Sequence, residues 1–200
     1  MTQGNLDTRA CVLVLPGGKV RSDEPSRWWQ LANLRMLLVA RALRRRLGPG
    51  IDVRRVRYRR RGWNSPRLDA LRDAQHVLDA VGNPKSIVLV GHSMGGRVAA
   101  RLAAGGGVGA VVALAPWWPG GDADLIPART RLFVLHGTAD TLTDPGSSLA
   151  QTRRARQRGL DAQWVGIDGA GHYMMRRWSE WHLRTTDFVA GHLAAARQPG

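Results

Sequence analysis

The sequence lacks most of the features that fix a protein's class at a glance. It has a single cysteine, Cys11, so no internal disulfide can form and the disulfide-scaffold classes are excluded. That cysteine lies in an apolar run, the setting of a buried thiol. No His or Cys spacing matches a structural zinc site. The longest apolar stretch, Leu31 to Ala40, is broken by Arg35 and falls well short of the roughly 18 apolar residues a membrane span needs. The opening MTQGNLDTRA has no basic leader segment, and the run Cys11 to Leu15 is too short for a leader core. A cytoplasmic location is the expectation. No repeat, low-complexity tract or linker divides the 200 residues. One domain is therefore expected, and a chain of this length can bury a core of its own.

Acidic residues are also scarce. Asp and Glu number 15 against 30 Lys and Arg, for a net charge of +15. Lys19 and Lys85 are the only lysines, so nearly all of the positive charge is arginine. The arginines fall in separate segments (44 to 46, 54 to 61, 153 to 158, 176 and 177) and no nucleic-acid motif accompanies them. The charge predicts solubility and incidental anion binding, and no specific nucleic-acid partner is expected. Nothing in the pattern speaks to oligomeric state.

What is present is an alternation. Strand-like apolar runs recur at Cys11 to Leu15, Ile51 to Val56, Ser86 to Val90, Ala110 to Leu114, Leu132 to Leu135 and Gln163 to Ile167. Helical patterns lie between them. Trp28, Leu31, Leu34, Leu38 and Ala42 form one candidate apolar stripe, ending before Gly48-Pro49-Gly50. Leu68, Leu71, Ala74, Leu78 and Val81 form a second, stopped at Gly82-Asn83-Pro84. Further helices are expected over 96–104, 146–158 and about 177–196. The reading is an α/β fold: a doubly wound, mostly parallel sheet of about six strands with helices on both faces.

The stretch Gly91-His92-Ser93-Met94-Gly95-Gly96 follows the third run and opens a helix. A serine on a sharp strand-to-helix turn needs small neighbours, because Cβ atoms would obstruct the turn. The same turn sets the N–H of Met94 at a helix N-terminus, where a developing oxyanion is stabilised. A serine hydroxyl needs a base, and the base an orienting carboxylate. Asp140, in His136-Gly137-Thr138-Ala139-Asp140, and His172, in Asp168-Gly169-Ala170-Gly171-His172, each follow a strand and complete the order Ser, Asp, His on one sheet edge. Asp144 is the rival to Asp140 but lies four residues farther from the strand end. His92 and His136 are read as structural. His76, His182 and His192 fall in helical patterns and are read as surface or packing residues.

These pieces, with LPGG at 15–18 and RGWNS at 61–65, resemble a small bacterial α/β-hydrolase of the serine-esterase or dienelactone-hydrolase-like kind, over nearly the whole chain. The resemblance implies Ser93 as nucleophile, His172 as base and then acid, Asp140 as the orienting carboxylate, and no metal or organic cofactor. By alignment with the family's His-Gly-x, here Pro16-Gly17-Gly18, the second oxyanion donor is Gly18, with Gly17 the alternative. The loop 61–65 is expected to support the site without reacting. The connection Ala115 to Arg131 is too short for a cap domain. Trp117 and Trp118 within it are expected either to wall an apolar substrate pocket beside Ser93 or to pack beneath the loop. The resemblance implies a minimal core without the two amino-terminal strands of a full member, so the expected substrate is a small or exposed ester or thioester. The same triad would serve an acyltransferase, and a non-catalytic binding protein on this scaffold is the other alternative.

Overall fold

The computed structural model describes residues 10–82, 84 and 86–196. Residues 1–9, most of the opening MTQGNLDTRA, and Asn83, within the expected stop of the second helix, lie outside them. Six strands form one sheet: β1 (Cys11–Leu15), β2 (Asp52–Arg55), β3 (Ile87–His92), β4 (Ala110–Leu114), β5 (Arg131–Gly137) and β6 (Ala162–Ile167). All pairings are parallel and the order is β2-β1-β3-β4-β5-β6. Parallel strands need long crossovers. Four of the five are supplied by α1 (Leu31–Leu47), α2 (Asp69–Asp79), α3 (Met94–Ala104) and α4 (Pro145–Gln157), the β4–β5 crossover being the 115–130 connection, while α5 (Trp178–Ala195) follows β6.

Because side chains alternate along a strand, each central strand feeds two cores. Leu13, Leu15, Leu89, Val111 and Leu132 pack in one with α2 and α3 residues such as Ala74 and Val98. Val12, Val14, Val88, Val90 and Val112 pack in the other with Met36, Val39 and Leu43 of α1 and Trp181 and Val189 of α5. Burial on both faces is why the strands read as unbroken apolar runs. The chain leaves β1 toward β2 but leaves β3 toward β4. The gap between the carboxyl ends of β1 and β3 is thus the switch point where ligands bind in such sheets.

The α1 stripe requires correction. Leu31 and Leu38 are exposed, as is Trp28 just ahead of the helix, and the buried face is Met36, Val39, Ala40 and Leu43. Both stripes have helical spacing. The sequence holds too many apolar residues there for periodicity to choose the face that meets the sheet. The 115–130 connection holds a short 3-10 turn at Asp122–Leu125 that the sequence pattern does not reveal. It is pinned to α3 by the fully buried Asp122, paired with Arg97 at 2.9 Å and Arg101 at 3.6 Å. Among the described residues no helix is long and apolar enough to cross a membrane.

Candidate active site

At the end of β3 the main chain turns through Ser93 with φ 55° and ψ −117°, a conformation that a residue with a side chain adopts only when its surroundings impose it. The surroundings do impose it. Ser93 N–H donates to the Leu114 carbonyl at 2.9 Å, and its own carbonyl accepts from Gly96 at 3.0 Å and Trp117 at 3.1 Å. A Cβ on Gly91 would stand 2.2 Å from the Gly95 carbonyl oxygen, and one on Gly95 would stand 2.1 Å from that of Leu15. The glycines of GHSMGG are therefore a steric requirement of the turn.

The turn aims Ser93 at a histidine from the other arm of the sheet. Ser93 Oγ lies 3.1 Å from His172 Nε2, and His172 Nδ1 lies 2.8 Å from Asp140 Oδ2. Ser93 follows β3, Asp140 follows β5 and His172 follows β6, so the carboxyl ends of three parallel strands deliver the three side chains to one edge of the sheet. Asp140 is 8% exposed and accepts five hydrogen bonds. Oδ1 takes the N–H groups of Leu142 at 2.8 Å and Thr143 at 3.0 Å. Oδ2 takes Thr143 Oγ1 at 2.8 Å, His136 Nε2 at 3.1 Å and His172. Burial alone would raise the pKa of this carboxyl, but the bonds from His136, His172 and Thr143 outweigh it and hold it well below the usual carboxylate range. Asp140 therefore stays ionised against His172.

His136 is fully buried. Its other nitrogen lies 2.8 Å from Ser148 Oγ, which in turn accepts from Trp164 Nε1 at 2.9 Å. His136 thus links Ser148 to Asp140. Thr143 and Ser148 escaped the sequence reading, since a hydroxyl outside a motif carries no signal of which carboxylate or ring it serves. His92 donates through Nε2 to the His172 carbonyl at 2.9 Å. Burial, reinforced by the nearby His172, pushes its pKa down to about 3, so it is neutral at ordinary pH. Asp144 caps α4, accepting from Gly146 N–H at 2.8 Å.

The loop after β1 runs alongside the turn. A Cβ on Gly17 would come 3.4 Å from Ser93 Cβ, and one on Gly18 would stand 2.4 Å from Met94 Cε and 2.3 Å from the Arg61 carbonyl oxygen. The loop is fastened to residues 61–64: Lys19 N–H donates to Arg61, Trp63 N–H to Lys19 and Asn64 N–H to Val20. The Asn64 side chain also bonds both backbone groups of Ser22. Met94, the first residue of α3, has an N–H with no intrahelical acceptor. The two tryptophans divide. Trp118 is 5% exposed, donates to the Gly96 carbonyl at 3.2 Å and belongs to the core, so the packing alternative holds for it and the pocket wall does not. Trp117 is half-buried against Trp63, and Arg97 lies over both rings. Among the described residues no cluster of three or more His, Cys, Asp or Glu could hold a metal ion.

The alpha/beta hydrolase family model matches residues 12–145, and the chain belongs to that family. The match ends ahead of β6 and His172. No curated protein matches the chain by sequence. Among solved structures, a protein of unknown function from Agrobacterium tumefaciens is similar with a TM-score of 0.74 at 16% identity, covering 96% of this chain and 89% of that one. Est1E from Butyrivibrio proteoclasticus, with ferulic acid bound, is similar with a TM-score of 0.69 at 15% identity, covering 97% and 93%. XC6422 from Xanthomonas campestris, a serine hydrolase without a lid, gives 0.63 at 22% identity, covering 96% and 84%. These likenesses show the shared fold.

Proposed function

We propose that the chain is a serine hydrolase, one uncapped domain that cleaves a carboxylic ester or thioester through an acyl-enzyme. The observation that carries this reading is the unbroken relay Ser93 Oγ, His172, Asp140 at 3.1 and 2.8 Å, set on a turn whose backbone is held in a costly conformation. Ser93 Oγ bonds to the acyl carbon while its proton passes to His172 Nε2. The N–H groups of Met94 and Gly18 hold the oxyanion, a contribution of about 3 kcal/mol per donor. As the carbon–oxygen or carbon–sulfur bond breaks, His172 returns the proton to the leaving group. A water deprotonated by His172 then attacks the acyl carbon and restores Ser93. Asp140 stays ionised throughout, fixing the tautomer with the proton on Nδ1 and stabilising the imidazolium. Of the two neighbouring tryptophans, Trp117 is the one left partly exposed to meet a substrate.

The test is a fluorophosphonate probe read by intact mass on the wild type, Ser93→Ala and His172→Ala. The expected outcome is one adduct on the wild type and none on either variant. A folded wild type that takes no adduct would exclude an activated serine, and an adduct surviving Ser93→Ala would assign the nucleophile elsewhere.

A further inference from the structure

Between residues 54 and 61 six arginines crowd the end of the edge strand β2 and the loop after it. Four have carboxylate partners: Arg54 with Asp52 and Arg59 with Asp73, at 2.5 and 2.6 Å, Arg60 with Asp23 at 3.5 Å, and Arg61 with Glu24 at 2.5 Å. Among the described residues Arg55 and Arg57 have none. Both line one cavity of about 260 Å³, whose walls also include Arg27, Trp28, Trp29 and Tyr58 and no acidic side chain. Arg27 likewise lacks a carboxylate partner among the described residues, and its guanidinium lies 5.3 Å from the Trp29 ring centroid.

The cavity has two features that suit an aromatic anion. Its positive charge is uncompensated, and burial together with the charges of Arg57 and Arg44 lowers the pKa of Arg55, so a negative group entering there relieves repulsion. Its apolar surface is two indoles standing 64% and 52% exposed, edge to face with ring centroids 5.8 Å apart, which favours a flat ring. The first turn of α1 borders the cavity at Asn33, and α1 has no side-chain cap, which adds partial positive charge.

We infer that this cavity, at the β2 edge and two strands away from Ser93, is a second ligand site for a small aromatic phosphate, a planar ring carrying a phosphate monoester. The guanidiniums of Arg55, Arg57 and Arg27 in the lining match the two charges and several acceptors of a phosphate better than one carboxylate would, and the tryptophans take the ring. A mononucleotide and a simple aryl phosphate share this chemistry.

Phenyl phosphate is titrated calorimetrically into the full chain at moderate salt, with inorganic phosphate and phenol as its two halves and adenosine monophosphate as the nucleotide arm. Phenyl phosphate is expected to bind at least tenfold tighter than either half, and Arg57→Gln or Trp29→Ala to weaken it about tenfold or more. Arg60→Gln removes the same charge from a paired arginine and is expected to leave the affinity within twofold, which separates a built site from the +15 net charge. Tighter binding of adenosine monophosphate would assign a nucleotide, and binding of phenyl phosphate alone an aryl phosphate. Three outcomes would overturn the inference: equal binding of phenyl and inorganic phosphate, equal losses in Arg57→Gln and Arg60→Gln, or a single-stranded oligonucleotide bound a hundredfold tighter than every small ligand. Ser93 takes no part, so failure of the fluorophosphonate test leaves this outcome untouched.

Discussion

Ser93 and Asp140 are joined through His172 by two hydrogen bonds, but the loops that hold them work by different means. At Ser93 the constraint is the main chain. A residue with φ 55° is clamped by Leu114, Gly96 and Trp117, and side chains at 91 and 95 would collide with carbonyl oxygens. At Asp140 the constraint is a set of donors, two N–H groups, a hydroxyl and two imidazoles, drawn from residues 136 to 172. Close approach of backbones admits one residue type at fixed spacing, so the first device is written in the local sequence. A carboxylate cradle can be assembled from many donor types at many positions, so the second is written only in the fold.

Breaking the cradle at its centre has the largest expected effect. Asp140→Asn keeps the volume but presents an NH₂ where an acceptor stood, and it releases His172 from the tautomer with the proton on Nδ1. Turnover of an activated ester is expected to fall about 10⁴-fold. Retention of a tenth of wild-type turnover would move the orienting role off Asp140. Gly95→Ala tests the backbone device: its Cβ would meet the Leu15 carbonyl oxygen at 2.1 Å, and neither backbone can yield without disturbing the β1–β3 pairing. A stability loss of about 3 kcal/mol in chemical denaturation is expected, with turnover lowered about 100-fold because Ser93 is re-aimed. A fully active, equally stable variant would show that the turn tolerates side chains.

The cradle's rim is softer. His136→Gln leaves four donors on Asp140, so kcat is expected to fall about tenfold with KM unchanged, the cost of one hydrogen bond to a charged acceptor. Equal changes in kcat and KM would instead mean that the site as a whole had shifted. Thr143→Val, which deletes the 2.8 Å hydroxyl bond, should match it in size.

This contrast also explains how much was legible. Gly91, Ser93 and Gly95, and the strand ends before Asp140 and His172, sit in short motifs whose spacing has a local steric cause, and the structure brings those residues together. Trp118 and the buried face of α1 were not legible, because an apolar residue beside a functional motif packs in the core or faces a ligand according to neighbours far off in sequence. The split among the arginines was hidden for the same reason: Arg55 and Arg57 differ from Arg54 and Arg59 only in where a distant or folded-back carboxylate lands.

The pH dependence of stability separates a buried neutral ring from a buried charge. His92 resists protonation until about pH 3, whereas the unfolded chain takes up that proton near pH 6.5. Its contribution is therefore complete above about pH 6.5 and declines toward pH 3, by up to about 1.4 kcal/mol per pH unit. Asp140, also depressed, adds its loss only below about pH 4. Between those limits His92→Asn should flatten the fall in denaturation midpoint. His182 and His192, pushed down by burial, keep some slope. An unchanged slope would remove His92 as its source.

The smallest effect is expected four residues from the largest. Asp144 has the same side chain as Asp140 and the same kind of bond from a backbone N–H, at 2.8 Å from Gly146. It caps a helix in contact with solvent, so water replaces the lost acceptor in Asp144→Ala. About 1 kcal/mol of stability should go and turnover should stay within twofold, because no part of the cap touches His172. The pair Asp140→Asn and Asp144→Ala thus sets a carboxylate bonded to His172 against one that begins a helix. A turnover loss above tenfold in Asp144→Ala would mean that the start of α4 transmits its position to Asp140, through Thr143 or through Ser148 and His136.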